Sequence, residues 1–263
     1  MKKNTEDSMQ DLSWLTNRPI AHRGFHNKEA GILENTPSAV RAAIKNNFAI
    51  EVDLQQTKDG HVIVFHDPYL ERLTHGKGNV IDFDLADLRK LSMRGSSDPM
   101  WTLDELLKLV DGQVPLVIEI KTLRLEEGQQ DFIKTIAAAL NTYSGLAAIK
   151  SFDPKMLRTM KEVAPSIPRG CISMTTLGPE EHKHLEAREI ENISWMLHMS
   201  GTDPHFISFF VHDLPAEGPS FLSEFYGLPI MTWTVKTKED RNNAAKYADQ
   251  IVFEGFNPDT DPL

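Results

Sequence analysis

Eight short apolar runs, separated by stretches of helical periodicity, constrain this chain more than any other feature. They lie at about 19–23, 49–54, 115–121, 146–151, 168–173, 206–212, 229–235 and 250–254. Apolar runs of that length read as buried strands. Helix signals fall between them. Thr36 and Pro37 supply an N-cap and a first-turn proline. Thr102 and Glu105 have capping-box spacing. Asp153-Pro154 opens another helix, and Lys238 to Tyr247 reads as the last long one. Strands alternating with helices over 263 residues predict an α/β chain closed into a (β/α)8 TIM barrel. The alternative, an open doubly wound sheet, expects a glycine-rich phosphate loop after the first strand, and the sequence has none there.

A further apolar run at 62–66 reads as a hairpin outside the barrel wall. The stretch between Asp53 and His66 is too short for a parallel crossover and contains Asp59-Gly60, a two-residue turn signal. With those two residues as the turn, Asp53 faces His66 across the hairpin. A one-residue slip would turn His66 to the other face. From Pro68 to Met100 the barrel rhythm breaks, with Gly76-Lys77-Gly78-Asn79 and a short helical pattern at Leu85 to Leu91. The expectation is one barrel domain over 1–263, with an insertion at about 68–100 above the active face or a plain surface loop there.

Four of the runs end in polar residues: Ile20-Ala21-His22-Arg23-Gly24, Ile50-Glu51-Val52-Asp53, Val64-Phe65-His66-Asp67 and Ile118-Glu119-Ile120-Lys121. Alternate residues of a strand share a face, so Glu51 and Asp53 point one way, as do Glu119 and Lys121. Buried charges are costly unless paired or bound to metal. Three carboxylates without cysteine favour a hard divalent cation, Mg2+, Ca2+ or Mn2+, over zinc. The competing reading is buried salt bridges, for instance Glu119 with Arg23.

Net charge is −10 with a pI near 5.5, and no basic patch stands out. Nucleic acid is therefore an unexpected partner, and an acidic surface is poorly suited to anionic membranes. A phosphate-bearing small molecule would need local positive charge from the cation, Arg23 and Lys121. The lone Cys171 excludes an intrachain disulfide and reads as a small buried hydrophobe. The first 17 residues lack the apolar core of a secretory signal, and no run reaches membrane-span length. The expectation is a cytoplasmic location without stable membrane insertion.

Taken in order, His22-Arg23-Gly24, Glu34-Asn35-Thr36, Glu51-Val52-Asp53, Asp59-Gly60, His66-Asp67 and Glu119-Ile120-Lys121 resemble the glycerophosphodiester phosphodiesterase family. Ser151-Phe152-Asp153-Pro154 and Trp233-Thr234-Val235 carry the likeness to about residues 18–257. The resemblance implies a phosphatidylinositol-phospholipase-C-like barrel that hydrolyses glycerophosphodiesters to glycerol 3-phosphate and an alcohol. It implies a metal at Glu51, Asp53 and Glu119, an acid/base pair in His22 and His66, and phosphate contacts from Arg23 and Lys121. Two histidines that titrate near neutrality suit a reaction in which the nucleophile loses a proton and the leaving alkoxide gains one. Either water or the substrate's 2-hydroxyl can be that nucleophile.

Trp233 is a candidate for stacking on substrate, and Phe152 a weaker one. Glu34 and Asn35 read as orienting or capping residues, Asp67 as a hairpin residue. His26 and His75 lie near the active face, while His182 and His184 sit in a polar helical stretch. Two positions depart from the family pattern: Glu254, where relatives often have aspartate, and Trp101, where proline is frequent. Two other readings follow from the sequence: a lysophospholipase D or phospholipase acting on intact lipid through an apolar rim near 68–100, and a non-catalytic barrel that binds phosphate esters.

Overall fold

Every barrel strand is followed by a segment that returns the chain to the starting end, so the strands pair in parallel. The structure, a computed structural model, describes residues 11–122, 128–175 and 187–261. The strands are β1 (Ile20–Ala21), β2 (Ala49–Gln56), β3 (Val62–Val64), β4 (Leu116–Ile120), β5 (Ala147–Ser151), β6 (Arg169–Ser173), β7 (Phe206–Phe210), β8 (Ile230–Val235) and β9 (Gln250–Phe253). All but β3 pair in parallel with their neighbours, and β1 pairs with both β2 and β9. The sheet therefore closes into a (β/α)8 TIM barrel.

Helices α1 (Trp14–Asn17), α2 (Pro37–Lys45), α3 (Leu85–Leu88), α4 (Leu103–Val110), α5 (Gln129–Thr142), α6 (Pro154–Val163), α7 (Ala187–Ser194), α8 (Glu217–Tyr226) and α9 (Lys238–Tyr247) complete the order. Their predicted starts hold. Thr36 caps α2 by accepting from the Ala39 amide, Thr102 and Glu105 form a reciprocal capping box on α4, and Asp153 accepts from Lys155 at the start of α6. The run at 206–212 is shorter as a strand than expected. After Phe210 it becomes a 3-10 turn, Val211–Asp213, whose backbone is held when Asn243 donates to the Val211 carbonyl. No helix among the described residues is long and apolar enough to cross a membrane.

The barrel interior changes character along its axis. Near the strand starts it holds Ile20, Ala49, Val117, Ala148, Phe206, Met231 and Val252, closed below by Trp14 and Leu15 of α1. Gly170 is needed there, because a Cβ at that position would meet the Phe206 ring at 2.2 Å. One step further toward the strand ends, the inward positions turn charged. Register then matters. Asp53 lies beside Glu119, and Glu119 beside Lys150, across β2, β4 and β5.

The hairpin differs from expectation by one residue. Leu54 pairs with Val64 and Gln56 with Val62, so Phe65 rather than His66 stands opposite Asp53. The loop has three residues, Lys58-Asp59-Gly60, closed between Thr57 and His61, with Gly60 at φ +82°. Three-residue hairpins place a glycine in that left-handed position. Thr57 Oγ1 also accepts from the His61 amide at 2.9 Å, which fixes the longer loop.

The insertion folds on its own apolar cluster. Leu70, Leu73, Val80, Leu85, Leu88, Met93 and Met100 pack with Leu33 from the loop after β1, Ile63 of β3 and Phe65 just beyond it. It thus sits over the same end of the barrel as the charged residues.

Candidate active site

Glu51, Asp53 and Glu119 offer carboxylate oxygens that all lie within 4.8 Å of one another, and all three residues are buried. Their location follows from strand alternation and the β2–β4 register. The partners of each group account for its ionisation. Lys121 reaches back from the end of β4 to Asp53 Oδ1 at 2.8 Å and to Glu119. Lys150 contacts Glu51 Oε1 at 3.0 Å and Glu119 Oε2 at 3.5 Å. Arg23 donates its backbone N–H to Glu51 Oε2, and its Nε lies 3.4 Å from Asp53 Oδ2. Burial would raise the Asp53 carboxyl, but Lys121, His66 and Arg23 hold it far below the usual carboxylate range. Burial likewise opposes ionised Glu119, and Lys121 and Lys150 overcome it. The same attractions raise Lys121 and Lys150 against the burial that would lower them.

Asn35 holds Asp53 at both ends. Its Nδ2 donates to Asp53 Oδ2 at 2.8 Å, and its Oδ1 accepts from the Asp53 amide at 3.1 Å. Trp101 in turn donates from Nε1 to the Asn35 carbonyl. Both Arg23 and Asn35 have left-handed backbone, φ +55° and +57°. For residues with a Cβ that conformation carries strain, and it aims their polar groups at the carboxylates.

The two expected histidines are each gripped at Nδ1 by a carboxylate. His22 Nδ1 lies 2.9 Å from Glu254 Oε2, and His66 Nδ1 lies 2.7 Å from Asp67 Oδ1. An ionised carboxylate only accepts, so these contacts select the tautomer with the proton on Nδ1 and leave each Nε2 outside the carboxylate contact. Burial would raise the Glu254 carboxyl, but the hydrogen bond and charge of His22, with Lys236 at 3.1 Å, hold it down at about 2. His66 reaches the site despite the slipped register because the chain leaves the ladder after Phe65 and bends at His66. Gln55 secures the bend by donating to the His66 carbonyl at 2.9 Å.

Trp233 stands in the second half of β8 beside Phe152 and Phe210, with ring centroids 5.7 and 5.2 Å away. Its Nε1 is buried without a hydrogen bond. Phe152 is exposed. Asp67 grips His66 and lies outside the carboxylate cluster, and Glu34 pairs with Arg23. His75 is exposed, and His182 and His184 lie outside the described residues. Cys171 is buried as expected, and burial pushes its thiol up to about 11.

Sequence reasoning missed Lys150 and Arg72. A lysine inside the run Ala147-Ala148-Ile149-Lys150-Ser151 was the available signal, since a charge within a buried strand must face an opposite charge. Arg72 had no such signal, because its loop follows no period.

The donor set fits a hard divalent cation. It consists of oxygens only. Glu51 Oε1 and Asp53 Oδ1 are buried and lack well-formed hydrogen bonds, although lysine ammonium groups lie at ion-pair distance.

The sequence signature of the glycerophosphoryl diester phosphodiesterase family matches residues 22–259. The glycerophosphodiester phosphodiesterase of Caldanaerobacter subterraneus subsp. tengcongensis is 30% identical over 239 residues, covering 86% of this chain and 89% of that one. An Oleispira antarctica phosphodiesterase, solved in complex with the product sn-glycerol-3-phosphate, superposes with a TM-score of 0.73 at 19% identity, covering 91% of this chain and 93% of that one. Glycerophosphodiester phosphodiesterase from Agrobacterium tumefaciens superposes at 0.66 with 20% identity, covering 90% and 95%. At such identities the structures speak for the fold, and the sequence signature speaks for descent. The chain belongs to the glycerophosphoryl diester phosphodiesterase family.

Proposed function

We propose that this barrel, as a single domain with its insertion, hydrolyses glycerophosphodiesters to glycerol 3-phosphate and an alcohol, with Glu51, Asp53 and Glu119 holding Mg2+ or Ca2+ (or Mn2+). The observation that carries the reading is the meeting of three buried carboxylates with Arg23 and Lys121, beside two histidines each held at Nδ1 by a carboxylate. When bound, the cation supplies Lewis acidity and lowers the pKa of a coordinated hydroxyl or water.

The chain's own residues do the rest. Arg23 and Lys121 add fixed positive charge where the phosphoryl oxygens become more negative. His22 and His66 act as the proton pair, one removing a proton from the nucleophile and the other giving one to the leaving alkoxide. Such steps are typically worth about 10²- to 10⁴-fold each. Trp233 offers its ring face to the glycerol or alcohol portion. The carboxylates on both Nδ1 atoms keep the Nε2 atoms available for transfer.

A small, deacylated substrate suits the insertion better than intact lipid. Of the insertion's apolar side chains, Leu70, Leu73 and Met93 are buried in its own cluster and Tyr69 is exposed. A single cysteine goes with a cytoplasmic setting. The test is a panel of glycerophosphodiesters assayed with magnesium, calcium and manganese in turn, with and without chelator. Glu51→Ala abolishes hydrolysis, and His22→Ala or His66→Ala abolishes it while metal stays bound. Wild-type turnover in either histidine variant, or activity indifferent to excess chelator, overturns the reading.

A further inference from the structure

Arg72, from the insertion, bridges two carboxylates that each hold a different site residue. Its Nη1 and Nη2 donate to Glu34 Oε2 and Oε1, both at 2.7 Å. Its Nε and Nη2 donate to Asp67 Oδ2 at 2.5 Å and Oδ1 at 3.0 Å. Glu34 Oε1 also accepts from Arg23 Nη1 at 2.5 Å, and Asp67 Oδ1 accepts from His66 Nδ1 at 2.7 Å. One planar guanidinium thus makes two bidentate pairs, and beyond each pair stands a group that faces the carboxylate cluster. Only arginine has this geometry, since a lysine ammonium is a point charge on a flexible stem.

We propose that Arg72 is a positioning residue that sets Arg23 and His66 together, by locking Glu34 and Asp67 in one plane. The inference rests on the phosphodiesterase reading above, in which those two residues handle phosphate and proton. The insertion then does more than cover the barrel mouth: it ties the arginine after β1 to the histidine after β3. The surrounding electrostatics agree. Burial would raise Glu34, but hydrogen bonds and charge from Arg72 and Arg23 hold it at about 2. Without Arg72, Glu34 would keep one cationic partner and Asp67 only the imidazole.

A merely structural clamp would lower stability and leave the site's chemistry intact, so the test separates the two. Arg72→Ala in the full chain is expected to lose about 10- to 100-fold in kcat, the usual cost of removing an outer support. Arg72→Lys, which keeps the charge and loses the fork, is expected to recover only a small part of that. Arg72 is about half exposed, so its vacated place is open to solvent. Ethylguanidinium at tens of millimolar is expected to restore Arg72→Ala by about five-fold or more, and sodium chloride at equal strength is not. An independent readout needs no turnover. The 15N signals of His66 are expected to report one Nδ1–H tautomer in the wild type and an exchanging mixture in Arg72→Ala.

A variant with wild-type kcat, a loss fully recovered by lysine, or an unchanged His66 spectrum overturns the proposal. A wild-type chain inactive on every glycerophosphodiester overturns the functional reading instead, and the His66 spectrum still decides the role of Arg72.

Discussion

Replacing Lys150 with methionine tests the electrostatic balance at the centre of the barrel. Three carboxylates, Glu51, Asp53 and Glu119, face three cations, Arg23, Lys121 and Lys150, so the cluster is near neutral as it stands. Lys150 is 2% exposed and contacts two of the three acids. Methionine keeps most of the stem volume and removes the charge. Breaking a buried pair from one side costs about 3–5 kcal/mol, because the acid left behind has lost its compensation. For a chain of this size, that corresponds to a melting temperature lower by on the order of 10 °C.

The deficit should be specific to the metal-free protein. A divalent cation supplies the missing positive charge, and binding stabilises by mass action, with each ten-fold gain in affinity worth about 1.4 kcal/mol. Lys150→Met is therefore expected to bind magnesium more tightly than the wild type and to recover most of its lost stability when metal is added. The assay is thermal unfolding across a magnesium titration, with calorimetric affinities for both proteins. A variant that melts like the wild type without metal refutes the balance argument. So does a deficit that metal leaves unchanged.

Two further outcomes follow from local geometry. Gly24→Ala should destabilise by about 2–4 kcal/mol in denaturant unfolding, because Gly24 has φ +79° and a Cβ would meet Ala39 Cβ at 2.8 Å and the Ala39 backbone at 2.9 Å; a change near zero would show that the loop after β1 can yield. Against burial, Arg72 and Arg23 hold Glu34, and His22 and Lys236 hold Glu254, down at about 2 from an ordinary 4.5. Their folded values are lowered, so their contribution is present above about pH 4.5 and is lost as the pH falls through about 2. Unfolding measured across that window should show the loss, and Arg72→Ala should flatten the part that belongs to Glu34.

The hairpin and the β5 lysine show where sequence reading stops. Asp59-Gly60 locates the reversal between Asp53 and His66, but the count of loop residues is set by the Thr57 hydroxyl and the His61 amide. The register moved by one, and His66 still arrived because the chain bends at His66 itself. Lys150 was legible as a charge in an apolar run, yet its partners depend on the alignment of β5 with β4.

What the sequence settled by itself was local and periodic: the barrel strands, the helix caps, and the shared face of Glu51 with Asp53. Those features arise from one residue's effect on its near neighbours, so they can be read in a window of ten. The tertiary structure alone decided the row of Asp53, Glu119 and Lys150, the grip of Glu254 on His22, and the span of Arg72 between Glu34 and Asp67. Each of these joins segments distant along the chain. Their meeting depends on strand stagger around a closed sheet and on loop paths with no repeating period.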